Sequence, residues 1–212
     1  MKNKLLKIPI LLLVFVFVIQ IKFSYGYKNE LNIYSDSAIL MDFKTGTILY
    51  SKNSNEKMYP ASTTKILTAI IALEECNLDD MVTVSKSAIS VIPPGYSSAN
   101  LLESEQISVK DLVTVFLVHS ANDAGYVLAE HISGSIDEFA NLMNKKATEI
   151  GCKDTHFTNP SGIHDENHYT TSYDLSLIAR YCMLNKNFRN IVSQKSCTIN
   201  RTNKSDVRTY KN

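Results

Sequence analysis

Ser62 and Lys65 stand three residues apart in Pro60-Ala61-Ser62-Thr63-Thr64-Lys65-Ile66-Leu67-Thr68-Ala69. On a helical turn this spacing makes the two side chains neighbours, so an amine can lie within hydrogen-bond reach of a hydroxyl. Serine is a weak nucleophile at its own pKa, and a lysine whose charge is destabilised by burial can take its proton. The chemistry of such a pair is acyl transfer through a serine ester. The bare Ser-x-x-Lys pattern is cheap, and Ser54 to Lys57 matches it as well. That second match lies in a polar run, 51–57, with no apolar period to bury a lysine, and reads as a solvated loop. Ser62 instead heads an apolar helix: Pro60 presets the first turn, and Ile66, Leu67, Ala69, Ile70, Ile71, Ala72 and Leu73 carry it into a core.

A second cluster follows the run Val109 to Val118, which is apolar nearly all round and therefore central. Ser108 can cap this helix, and Asp111 falls in its first turn, where a negative charge suits the dipole. The helix ends in His119-Ser120-Ala121-Asn122-Asp123. Polar side chains emerging from a buried helix end are costly to place there, so Ser120 and Asn122 are candidate site residues, with simple helix capping as the competing explanation. Ser98-Ala99-Asn100 has the same spelling but follows a Pro-Gly turn, which makes it the weaker candidate. His164 and His168 are four apart, yet Gly162, Asn167 and the threonines after them argue for a loop, and Asp165 replaces the glutamate of a zinc-binding helix. Neither a metal nor another cofactor is expected.

The remaining elements must position these groups. Ser37 to Phe43 and Thr47 to Lys52 read as a hairpin through Asp42-Phe43-Lys44-Thr45-Gly46, with Gly46 at the turn. Met81-Val82-Thr83-Val84 is a short strand, and helices are predicted over Asn122–Ile132, from a Ser135 capping box to Ile150, and from Ser172 to about Leu184. Ser196 to Arg201 forms a final strand. Lys2, Lys4 and Lys7 precede an apolar run from Ile8 to Ile21, and Ser24-Tyr25-Gly26 offers a cleavage site, so 1–26 is read as a secretory signal peptide and 27–212 as the working domain, outside the cytoplasm. The net charge of +1 gives a nucleic-acid partner no electrostatic support. Cys76, Cys152, Cys182 and Cys197 show no CxxC pair and read as small buried side chains.

Taken in order, Pro60-Ala61-Ser62-Thr63-Thr64-Lys65, Ser120-Ala121-Asn122-Asp123-Ala124, Asn159-Pro160-Ser161-Gly162 and His168-Tyr169-Thr170-Thr171 resemble the serine-type D-alanyl-D-alanine carboxypeptidases, the low-molecular-weight penicillin-binding proteins. The resemblance implies an α/β (α+β) fold of the β-lactamase/transpeptidase type, an antiparallel sheet with flanking helices plus a helical lobe, the site lying between them. It implies Ser62 as acylated nucleophile and Lys65 as general base. Ser120 would be the proton carrier, Asn122 would bind the substrate amide or position Lys65, and the Ser62 N–H would be half of an oxyanion hole. The implied partners are peptidoglycan stem peptides and, as covalent inhibitors, β-lactams. A membrane would be met only through the signal sequence or a C-terminal anchor.

Three departures accompany the resemblance. The family's Lys-Thr-Gly strand is expected about a hundred residues after Ser120, past Asn212, so the sequence is expected to be part of a longer protein, with the opening hairpin beside Ser196–Arg201. Ser104 and Gly125 stand where the family has glycine and alanine, and Gly125 is expected to weaken its helix by roughly 1 kcal/mol. Two other functions fit the same motifs. One is a β-lactamase, which needs a water-activating glutamate for which no Glu-x-x-x-Asn pattern follows Ser120. The other is a secreted, non-catalytic wall-binding protein.

Overall fold

Helix α1, Lys65–Glu75, forms the core of the folded unit, with Leu67, Thr68, Ala69, Ile70, Ile71 and Ala72 all fully buried. The computed structural model describes residues 32–212, and those from Asp36 onward form one compact unit. The predicted signal peptide lies outside the described residues. Among them, no helix is long and apolar enough to cross a membrane.

Around α1 pack α3 (Val109–Val118), α4 (Asn122–Ser133) and α5 (Ile136–Ile150), the expected helical lobe; a short α2, Lys86–Ser90, precedes them. The caps are those read from sequence: Ser108 Oγ accepts from Asp111 N at 3.0 Å and Ser135 Oγ from Glu138 N at 3.1 Å. α6 (Ser172–Cys182) and α7 (Lys186–Val192) close the far side of α1.

The strands form three separate antiparallel pairs among the described residues. β1 (Ala38–Met41) pairs with β2 (Ile48–Lys52), β3 (Met81–Thr83) with β4 (Gln106–Ser108), and β5 (Ser196–Ile199) with β6 (Arg208–Lys211). The expectation that the opening hairpin lies beside Ser196–Arg201 is therefore corrected. β1 packs on α6 while β5 packs on α3, so these two hairpins lie against different helices and no ladder joins them.

Lys44-Thr45-Gly46 makes the β1–β2 turn, with Asp42 Oδ1 accepting from Thr45 N and Oγ1, both at 2.7 Å, and Gly46 at φ 76°. All four cysteines are free; Cys152, Cys182 and Cys197 are buried as expected whereas Cys76 is only half-buried, and burial pushes Cys152 and Cys182 up to about 12. Ser104 keeps the turn that a glycine would make, in a left-handed conformation at φ 63°.

Candidate active site

The nucleophile turn is a 3-10 helix, Ala61–Thr64, running directly into α1. In a 3-10 turn residues three apart eclipse one another, which aligns Ser62 with Lys65 more closely than an α-helix would. Lys65 Nζ lies 2.9 Å from Ser62 Oγ and donates to the Ser161 carbonyl, also at 2.9 Å. Ser62 is exposed, whereas Lys65 is only 3% exposed. The Lys65 amine stands 5.8 Å from the centre of the buried Phe116 ring. Loss of water around it lowers the lysine to about 8 from the usual 10.5. A neutral amine has a lone pair, so on deprotonation the 2.9 Å contact can reverse, with the hydroxyl donating to nitrogen.

Ser120 follows the C-terminal end of α3 in a left-handed conformation at φ 58°. A non-glycine residue in this region stores roughly 1–2 kcal/mol of strain. The result is that its Oγ reaches 3.3 Å from Ser62 Oγ, a long contact for two hydroxyls. Ser62, Lys65 and Ser120 thus meet. Asn122 is buried two residues on, but its amide is committed elsewhere: Nδ2 and the backbone N–H both donate to Ser97 O, at 2.8 and 2.9 Å.

The rejected matches have structural tasks. Ser98 Oγ donates to the buried Asp123 carboxylate at 2.6 Å. Ser54 is buried, not solvated as its polar neighbours suggest, because its carbonyl accepts from Tyr173 N at 2.9 Å and its hydroxyl bonds Ser51 Oγ at 2.8 Å. Lys57 points instead to the Tyr169 ring, 4.2 Å from its centre.

The loop that holds the turn from behind contains the Asn159-Pro160-Ser161-Gly162 motif, to which sequence reasoning assigned no role in the site. Asn159 Oδ1 accepts from the N–H groups of Ser161, Gly162 and Ile163 at 3.2, 2.8 and 3.1 Å, folding the loop on itself. This aims the Pro160 carbonyl at Thr68 Oγ1, 2.7 Å away, and the Ser161 carbonyl at Lys65. Gly162, at φ 80°, lies so close to the turn that a Cβ there would be 1.8 Å from Ala61 O. His168, 2% exposed, bonds Thr64 Oγ1 at 2.8 Å through Nε2. The only local signal in the sequence was the Asn-Pro-Ser-Gly spelling behind the Asn159 turn, because the contacts from this loop and His168 to the nucleophile turn and α1 join residues about a hundred positions apart.

Residues 25–212 match the family model described as D-alanyl-D-alanine carboxypeptidase. Over 157 residues the chain is 41% identical to D-alanyl-D-alanine carboxypeptidase DacF of Bacillus subtilis strain 168, covering 72% of this chain and 40% of DacF. Over 176 residues it is 37% identical to DacA of Haemophilus influenzae, covering 80% and 44%. The chain thus spans less than half the length of these curated relatives. Among solved structures, the R248L mutant of the Streptomyces K15 DD-transpeptidase superposes with a TM-score of 0.80 at 32% identity, covering 86% of this chain and 75% of that one. DacD from Francisella tularensis superposes at 0.75 with 35% identity, covering 79% and 41%. The expected fold, antiparallel strands with flanking helices and a helical lobe, is therefore that of the penicillin-binding DD-peptidases, and the chain belongs to the peptidase S11 family of D-alanyl-D-alanine carboxypeptidases.

Proposed function

We propose that this chain carries the acylation machinery of a serine-type D-Ala-D-Ala carboxypeptidase acting on peptidoglycan stem peptides. The observation that supports the reading most is the buried Lys65 amine, 2.9 Å from the Ser62 hydroxyl. In its neutral form Lys65 takes the hydroxyl proton as Ser62 Oγ attacks the carbonyl between the two alanines. The Ser62 N–H, one of the unpaired donors of a first helical turn, faces the developing oxyanion. The carbon–nitrogen bond breaks, and the proton passes from Lys65 through Ser120 to the leaving D-alanine amine. Water then adds to the ester, gives its proton to Lys65, and releases the shortened peptide with Ser62 restored. Asn122 anchors the Ser97 carbonyl through Nδ2 and offers its Oδ1 to the substrate amide N–H.

The same reading makes β-lactams covalent inhibitors on Ser62 and sets the work outside the cytoplasm, behind a signal peptide at 1–26, in cell-wall remodelling. Mass spectrometry after exposure to a penicillin tests it: the adduct falls on the peptide bearing Ser62 and disappears in Ser62→Ala. Labelling that survives this substitution contradicts the proposal.

A further inference from the structure

Thr64 sits between the two reacting residues, fully buried, and its hydroxyl is held by a ring a hundred positions away. The His168 tautomer follows from its partners. Nδ1 accepts from the Thr158 backbone N–H at 3.1 Å, with Asn159 Nδ2 at 3.3 Å, so this nitrogen carries no proton. The proton is on Nε2, which donates to Thr64 Oγ1 at 2.8 Å. Phe157 packs its ring edge-on at 5.3 Å. His168 therefore bonds both sides of one joint, the nucleophile turn through Thr64 and the 158–162 loop through Thr158 and Asn159.

We propose that His168 is a positioning residue: as a neutral Nε2–H donor it pins the turn bearing Ser62 and Lys65 to the loop whose Ser161 carbonyl holds the lysine amine. The inference rests on the Ser62–Lys65 reading above. Three contacts act across the same joint. Gly162 touches Ala61, Ser161 O takes Lys65 Nζ, and Pro160 O takes Thr68 Oγ1. His168 bonds both sides of the joint through one rigid ring, so removing it leaves those three contacts alone to hold the loop against the turn and loosens the joint. Water then reaches the amine and restores its ordinary preference for the charged form.

Desolvation holds the imidazole down to about 4, despite the charge of Asp165 acting the other way and with His156 and His164 adding to the lowering, so the ring stays neutral under working conditions. A ring kept neutral in this way can neither bind substrate charge nor serve as a base at neutral pH. Its contribution is geometric, through the residues it joins.

The test follows the lysine itself, by NMR titration of the 13C-labelled Lys65 side chain in the full chain, which needs no turnover. His168→Ala raises the Lys65 midpoint by about one pH unit or more, and penicillin labelling of Ser62 at pH 7 slows by about tenfold, the accompanying loss of free amine. Thr64→Val, which removes only the acceptor and keeps the shape, raises it in the same direction. His168→Gln, which retains an amide donor, brings the midpoint back toward wild type. A folded His168→Ala chain with an unmoved midpoint overturns the proposal. If that variant does not fold, an unmoved midpoint in Thr64→Val overturns it equally. A wild-type lysine titrating near its ordinary 10.5 would instead defeat the Ser62–Lys65 reading, so the two failures are distinguishable.

Discussion

Replacing Gly162 by alanine perturbs the nucleophile from a residue that has no side chain of its own. The new Cβ would lie 1.8 Å from Ala61 O and 2.4 Å from its carbonyl carbon, where real Cβ contacts keep at least 3.0 Å. Backbone must therefore part by 3.0 − 1.8 = 1.2 Å or more. The φ of 80° adds roughly 1–2 kcal/mol for a residue with a side chain. Ala61 is bonded to Ser62, and Thr64 Oγ1 would meet the same Cβ at 2.9 Å, so the whole turn moves relative to Ser161 O. A misplacement of about 1 Å in a reacting group costs about 100-fold in rate. We expect penicillin labelling of Ser62 in Gly162→Ala to slow by about two orders of magnitude, with a loss of roughly 2–4 kcal/mol in denaturant unfolding. Wild-type labelling with wild-type stability would refute the reasoning, because it would mean that the loop does not set the turn.

Gly125→Ala should destabilise, although alanine is the better helix former by about 1 kcal/mol: its Cβ would meet the fully buried Phe116 ring at 2.4 Å, and overpacking of this kind costs about 1–3 kcal/mol, measurable in urea. Ser104→Gly relieves the left-handed backbone at φ 63° and should raise the unfolding midpoint in urea by an amount worth about 1 kcal/mol. Because His168 titrates at about 4 when folded against 6.5 ordinarily, the folded chain binds fewer protons between those values. Stability from this ring is thus present above pH 6.5 and is lost as pH falls toward 4, by at most about 3 kcal/mol, a slope that His168→Gln removes.

The elements that announced themselves in the sequence were those whose burial pattern is local. Val109–Val118 is apolar all round and capped by Ser108, and Ser135 with Glu138 marks the start of α5 at Ile136. Ser62, Lys65 and Ser120 were legible for the same reason, since each stands at the end of an apolar helix. β6 and α7 were not anticipated: Lys186–Val192 is short and polar, with its Asn185 cap as the one cue, and Arg208–Lys211 becomes a strand only by pairing with β5.

Contacts across the chain were harder to read. Gly125 looked like a weak point in its helix, and the structure shows the Phe116 ring filling the space that a side chain would need. Ser54 looked solvated because its neighbours are polar, and its burial comes from α6 approaching through Tyr173. Nothing local distinguishes the carbonyl of Ser161 from any other loop carbonyl. Its role exists only because Asn159 turns it toward a lysine on another element.

A buried Lys65 amine, free of its proton, activates Ser62, and the pH dependence of Ser62 labelling by a penicillin reads this directly. With Lys65 near 8, the rate should climb about tenfold per pH unit below that value and level off above it, and Lys65→Arg, which cannot give up its proton in this range, should lose the reaction. A rate that is flat from acid to alkali, or that keeps rising toward 10.5 without a break, would contradict the account.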